Sequence, residues 1–133
     1  MKKILLLTIL VFIVSFSFSQ SKRTAYQLET GSWNEYSKTW DFREPIATRL
    51  VFTLSKTYVM INDEANTHLS ILNDTNDDDN SKYKSHSWMC NDEKGRKCTF
   101  MMTTYKSDGQ TIYVIIYSDI CFRYSISAQL DKF

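Results

Sequence analysis

The chain has 133 residues, of which 43% are hydrophobic and 14% aromatic, with three cysteines and a formal net charge of +1. This near-neutral balance excludes the basic footprint that proteins use to bind nucleic acid or an anionic membrane surface. The length fits one domain, and the aromatic content can supply a core without metals or several disulfides.

The start of the chain has the three regions of a secretory signal peptide. Lys2 and Lys3 form a short basic region, and residues 4–14 form an apolar one. Ser17 and Ser19 then place small side chains at the positions that signal peptidase requires. The apolar stretch is shorter than the roughly 20 residues that a membrane-spanning helix needs.

These features predict a signal peptide over residues 1–19 and a single domain over residues 20–133. Cleavage would leave fourteen basic and fifteen acidic residues. We therefore expect an exported protein, periplasmic or extracellular, that does not insert into the membrane after signal cleavage.

Apolar and β-branched residues alternate with period two along the remaining chain, which indicates strands and no helix. Gly31, Gly95 and Gly109 each lie between strand-like runs, where a hairpin turn favours a residue with positive φ. Asp108 and Gly109 together suit a two-residue turn. The predicted strands are Thr24–Glu29, Ser32–Ser37, Thr48–Leu54, Thr57–Ile61, Thr67–Leu72, Tyr83–Asn91, Lys97–Tyr105, Thr111–Ser118 and Ile120–Ile126.

The short connections predict an antiparallel meander of eight or nine strands. Pro45 would mark a longer crossing between the second and third strands, and the polar stretch over residues 73–80 has the composition of an exposed loop. An all-β fold of this kind forms a small barrel or a partly open barrel, with a β-sandwich as the alternative.

Two cysteines flank a charged turn in the segment Trp-Met-Cys-Asn-Asp-Glu-Lys-Gly-Arg-Lys-Cys. A three-residue turn ending at Gly95 places Cys90 opposite Cys98, which in an exported chain predicts a disulfide. A zinc site or a redox pair is less consistent with a spacing of seven residues and no second cysteine pair. Cys121 is left as a buried thiol, a competing partner, or a link between two copies.

The same strand register predicts an aromatic row across three strands. Trp88 faces Phe100, and a two-residue turn in the next hairpin would place Phe100 opposite Tyr117. This row is either a stripe of core residues or the wall of an apolar ligand cavity.

No motif for catalysis or cofactor binding is present, so we predict no catalytic residue, no metal ligand and no cofactor. In the polar stretch, Asp74, Asn76, Asp78 and Asn80 alternate like the first ligands of a calcium loop. The sixth position is Asp79 instead of glycine, which favours a solvated loop over that motif.

Two resemblances accompany these patterns. Gly31-Ser-Trp33 resembles the Gly-x-Trp signature of lipocalins, which implies an up-and-down barrel that holds a small apolar molecule. The signal segment ending at Gln20, the hairpin from Trp88 to Cys98 and the Tyr-rich segment from Thr111 to Tyr124 resemble small uncharacterised exported all-β proteins of Gram-negative bacteria.

The sequence therefore predicts a non-catalytic binding or interaction module that acts through a protein surface, with a protein as its partner. The alternative is a lipocalin-like small barrel that binds a small apolar ligand, with Trp88, Phe100 and Tyr117 in the cavity wall. Nucleic acid is not expected as a partner.

Overall fold

The structure is a computed structural model that describes residues 21–127. This range contains nine strands and no helix, and hence no helix that could cross a membrane. The predicted signal peptide, residues 1–19, lies outside the described residues. The strands are β1 (Ser21–Asn34), β2 (Thr39–Phe42), β3 (Ile46–Leu54), β4 (Tyr58–Ile61), β5 (His68–Asp79), β6 (Tyr83–Asn91), β7 (Lys97–Tyr105), β8 (Thr111–Ile116) and β9 (Ile120–Ile126).

The strands form a closed antiparallel barrel. From β3 to β9 each strand pairs with the next along the chain, and β1 pairs with both β3 and β9. Eight strands thus close the barrel, and β2 is an extra strand on the end of β1. The prediction of an all-β meander closed as a barrel is confirmed, and the sandwich does not form.

Strand β1 is more than twice as long as predicted because it begins earlier and continues through Gly31. The prediction of a hairpin turn at Gly31 and of a strand over residues 32–37 is wrong. A β-carbon on Gly31 would lie 2.9 Å from Sγ of Cys121 and 2.9 Å from the Phe42 ring. Glycine is needed here for close packing of three strands, while the turn follows at residues 35–38.

Pro45 lies in a connection of only three residues between β2 and β3, so the predicted longer crossing is wrong. Phe42 pairs with Gly31 and Ile46 pairs with Leu28. The two strands therefore follow one edge of β1, interrupted where the proline cannot donate a hydrogen bond.

The acidic stretch is a strand instead of the predicted loop. β5 extends to Asp79 and pairs with β6 along its whole second half, with irregularities near Leu72 and Thr75. Aspartate and asparagine disfavour strands in isolation, but pairing with β6 overrides this preference. Beyond Ile71, this strand has β6 as its only strand neighbour among residues 21–127.

The hairpin between β6 and β7 has the predicted register. Gly95 adopts a φ of 78° at the end of a three-residue turn, and Cys90 lies opposite Cys98. The next hairpin differs, because Gly109, with a φ of 72°, ends a four-residue loop instead of a two-residue turn. Phe100 consequently faces Ile115 and Met102 faces Tyr113, a shift of two residues from the predicted pairs.

Inward-facing side chains from all eight barrel strands form one core. Phe52, Phe100 and Tyr113 are fully buried at its centre, with ring centroids 5.2–5.4 Å apart in edge-on contacts. Such pairs add about 0.5–1.5 kcal/mol each beyond the burial of their area. The core lies nearer one end of the barrel, which leaves the other end accessible.

The two ends of the barrel differ. The end that contains Ser21, Ser127 and the connections at residues 55–57, 80–82 and 106–110 is called the open end. The closed end carries the connections at residues 62–67, 92–96 and 117–119. Around the open end the wall is uneven, because β5 and β6 extend beyond the turn between β3 and β4.

Replacing Gly31 with alanine should lower the free energy of unfolding by about 1–3 kcal/mol, because the new methyl group overpacks against Cys121 and Phe42. Chemical denaturation measures the change. Ser32→Ala, at the exposed neighbouring position, is the control and should stay within about 0.5 kcal/mol. Equal stability of the two variants would contradict close packing of β2 and β9 against β1.

Candidate functional site

A cavity of about 470 Å³ lies inside the barrel at the open end. Its walls are apolar towards the core and polar at the mouth, where Ser21 and Lys56 are exposed. It is therefore a pocket that solvent can enter. Its lining consists of Ser21, Leu54, Ser55, Lys56, Val59, Ile71, Asp74, Trp88, Phe100 and Met102.

Trp88 and Phe100 both line this cavity, as the hypothesis of an aromatic wall predicted. Their rings stack with centroids 5.7 Å apart and an interplanar angle of 26°. The even-numbered residues of β6 and β7 face inward, so Trp88, Phe100 and Met102 lie together on the inner surface. Phe100 also touches Tyr113, which joins the cavity wall to the core.

Tyr117 does not belong to the cavity lining, contrary to the prediction. Because the loop after β7 is two residues longer than predicted, Tyr117 lies towards the closed end, beyond the last residue of β8. Its hydroxyl donates to Oδ2 of Asp92 at 3.0 Å, and the Arg96 guanidinium lies 4.9 Å from its ring.

Asp92 organises the closed end. Its carboxylate accepts hydrogen bonds from the backbone N–H groups of Lys94 and Arg96, from Nε of Arg96 and from the Tyr117 hydroxyl. Burial alone would raise the pKa of Asp92, but these hydrogen bonds outweigh burial and lower it. The resulting network ties the turn between β6 and β7 to the start of the turn between β8 and β9.

An acidic wall lies beside the cavity. Asp74 lines the cavity, and its Oδ1 is 3.4 Å from Nε2 of His86, whose Nδ1 contacts Asp77. The His86 ring also packs on Trp88, with centroids 4.1 Å apart. Among the described residues no group of three or more His, Cys, Asp or Glu side chains is arranged to hold a metal ion.

Cys90 and Cys98 face each other as predicted, but the structure does not support a disulfide between them, since both are free thiols. The backbone N–H of Asp92 donates to the carbonyl of Arg96, so these two residues form a hydrogen-bonded pair. Hydrogen-bonded and non-hydrogen-bonded pairs alternate along an antiparallel hairpin, so Cys90 and Cys98 form a hydrogen-bonded pair as well. The β-carbons of such a pair are roughly 5.5 Å apart, beyond the spacing a disulfide needs. Burial and the neighbouring Cys90 raise the pKa of Cys98 to about 11.

Cys121 is a buried thiol, which was one of the predicted outcomes, and its relative exposure is 1%. It packs against Gly31 and Phe42 on the outer side of the barrel wall. Burial raises the pKa of this thiol as well. It is thus covered by β2 and not presented to a second copy.

A second concave surface, the outer groove, lies on the outside of the barrel and was not predicted from the sequence. The volume of the outer groove is about 230 Å³, and Arg123 borders it. The Arg123 guanidinium pairs with the Glu29 carboxylate at 2.8 Å and lies 4.0 Å from the centroid of the Phe42 ring. The sequence feature that could have predicted the outer groove is the segment from Ile112 to Ile116, which is apolar on both faces of the strand. Its apolar lining includes Trp40, Phe42, Met101, Ile112, Val114 and Ile116.

Together these features define a class of protein: an eight-stranded antiparallel barrel with one open end and an aromatic-walled internal cavity. No family model, no curated protein and no solved structure matches the chain. The two resemblances noted from the sequence therefore stay predictions, and Gly31-Ser-Trp33 lies inside β1.

The thiols provide a direct test of the hairpin. The unreduced protein, once denatured, should react with three equivalents of a thiol reagent, because all three cysteines are free. In the native protein the reaction should be slow, since the thiols are buried and their pKa values are raised. A count of one thiol after denaturation would instead support a disulfide between Cys90 and Cys98.

The network at Asp92 should appear in the pH dependence of stability. The pKa of Asp92 is lowered on folding, so its contribution is full above its unfolded value of about 3.9 and is lost as the pH falls through the folded value. Asp92→Asn should be less stable than wild type near neutral pH and should lose less stability on acidification. Urea denaturation across a pH series measures both effects.

Asp41→Asn serves as the matched control, because this exposed carboxylate on β2 has a single hydrogen bond from Asn34. It should retain the acid dependence of the wild type. If both variants followed the same acid curve as wild type, the role assigned to Asp92 would be wrong.

Proposed function

We propose that this protein is a non-catalytic binding protein that holds a small, largely apolar molecule inside the open end of its barrel. The observation that carries the proposal is the cavity of about 470 Å³ walled by Trp88, Phe100 and Met102. This volume lies within the roughly 300–1,000 Å³ typical of small-molecule sites. Its apolar floor and polar mouth suit a ligand with one polar end.

The packing around the cavity supports this function over a purely structural role. Protein interiors leave few voids larger than a water molecule, and small barrels are usually filled by inward side chains. Here the core at Phe52 and Tyr113 is tightly packed, while the neighbouring space is not filled by side chains. A barrel of eight strands has the diameter that can hold one small ligand.

We also propose that the protein acts outside the cytoplasm, on the basis of the signal peptide predicted over residues 1–19. The ligand would then be met in the periplasm or the external medium. A water-soluble protein with an internal apolar cavity can carry a poorly soluble molecule through such a compartment.

A second function, action through a protein surface, is favoured by the outer groove. Phe42 is 37% exposed and Tyr105 is 39% exposed at its margin, and aromatic residues of this kind are enriched in protein interfaces. This groove is separate from the cavity, since the two lie on opposite faces of β7. The two functions can therefore be tested independently.

Adjacent methionines provide the test. Met102 lines the cavity and Met101 lines the outer groove, so the same substitution at each position fills one site only. Met102→Trp should weaken binding of a neutral apolar fluorophore, such as N-phenyl-1-naphthylamine, roughly tenfold, because the indole occupies the cavity. Titration of the fluorophore's own emission measures this, while Met101→Trp should bind like wild type.

Other outcomes are equally informative. If the fluorophore bound neither wild type nor Met101→Trp, the cavity would have no binding function. If Met101→Trp alone lost a protein that crosslinks to the wild type in an extracellular extract, the outer groove would be the functional surface. Thermal unfolding of both variants checks that each has folded.

A further inference from the structure

One arginine lies on the inner surface of the barrel without a charged partner among the residues that the structure describes. Arg23 pairs across β1 and β3 with Phe52, whose side chain is fully buried in the core. Residues directly opposite in a sheet share a face, so the Arg23 side chain projects into the barrel. All the other described arginines, at positions 43, 49, 96 and 123, lie on the outside or at the ends.

The hydrogen bonding of Arg23 is incomplete. One terminal nitrogen donates to the carbonyl of Ser127 at 2.7 Å, while its Nε is buried with no hydrogen-bond partner. No aspartate or glutamate forms an ion pair with it among residues 21–127. A partly buried charge without a counter-ion is costly, and the planar guanidinium favours a carboxylate or phosphate as its partner.

Arg23 is next to the cavity. Ser21, two residues earlier on the same face of β1, lines the cavity together with its partner Leu54. Burial raises the pKa of Tyr113, a core residue, and the positive charge of Arg23 partly offsets this rise. Tyr113 in turn packs on Phe100, a cavity residue.

A second positive charge stands at the mouth. Lys56, in the turn between β3 and β4, lines the cavity, is exposed, and forms no ion pair in the described part of the chain. The acidic residues on the opposite wall differ, because Asp74 and Asp77 both contact His86. Among residues 21–127, Arg23 beside the cavity and Lys56 at its mouth are thus cations without an acidic partner.

We propose that Arg23, assisted by Lys56, binds the carboxylate of an amphiphilic ligand whose apolar chain occupies the cavity between Trp88 and Met102. The ligand class is a long-chain or aromatic carboxylic acid. This assignment rests on the proposed function, since it names the chemistry of the molecule that the cavity holds.

Three ligands that share one alkyl chain test the assignment. Dodecanoate, dodecanol and dodecylammonium differ only in the charge of the head group, so displacement of the neutral fluorophore compares their affinities directly. Dodecanoate should bind roughly tenfold more tightly than dodecanol, and dodecylammonium should bind most weakly. The advantage of dodecanoate should disappear at a pH low enough to protonate its carboxylate.

Arginine variants assign the effect to a residue. Arg23→Gln should reduce the affinity for dodecanoate to that of dodecanol and leave dodecanol binding unchanged. Arg49→Gln removes the same charge from the exposed face of β3 and should leave the preference for dodecanoate intact. Arg23→Lys keeps the charge but not the planar fork, and should retain part of the preference.

The outcomes separate the two proposals. Equal binding of the three ligands, or tighter binding of dodecylammonium, would overturn the carboxylate assignment while leaving the cavity as a binding site. Failure of all three to displace a bound fluorophore would also overturn the carboxylate assignment, whereas absence of fluorophore binding to the wild type would overturn the proposed function itself. If Arg23→Gln did not fold, a reduced preference for dodecanoate in Arg23→Lys together with an unchanged preference in Arg49→Gln would still support the assignment. An equal reduction in Arg23→Lys and Arg49→Gln would contradict it.

Discussion

The antiparallel pairing of β1 with β9 is the constraint on which the other features depend. It joins the first strand of the domain to the last and turns an open meander into a barrel with distinct inner and outer surfaces. Gly31 favours this pairing because it has no side chain where β9 and β2 converge on β1. Closure then places Trp88 and Arg23 on the inner surface, and Arg123 on the outer one.

Much of the barrel could be predicted from local patterns, because hairpin geometry is encoded within a few residues. Gly95 fixes a three-residue turn, and the pairing of Trp88 with Phe100 follows from it. The next hairpin could not be predicted as well, since a glycine in the left-handed conformation ends turns of more than one length. Because of this difference in loop length, Tyr117 lies at the closed end and not in the predicted cavity wall.

The remaining features depend on long-range contacts that no local pattern encodes. Gly31 looks like a turn residue until Cys121, ninety positions later, is seen to lie against it. The acidic half of β5 forms a strand because β6 supplies its hydrogen bonds, against the preference of aspartate. The inward orientation of Arg23 was missed for the same reason, because only barrel closure shows which way that side chain faces.

Among residues 21–127, the unequal heights of the barrel wall leave the second half of β5 with an unpaired edge. Exposed strand edges commonly recruit another chain and start aggregation. Here two copies that met edge to edge would bring their aspartates into opposition, and the irregularities near Leu72 and Thr75 would interrupt a continuous ladder. The aspartates of β5 thus disfavour edge-to-edge association of two barrels beside the cavity.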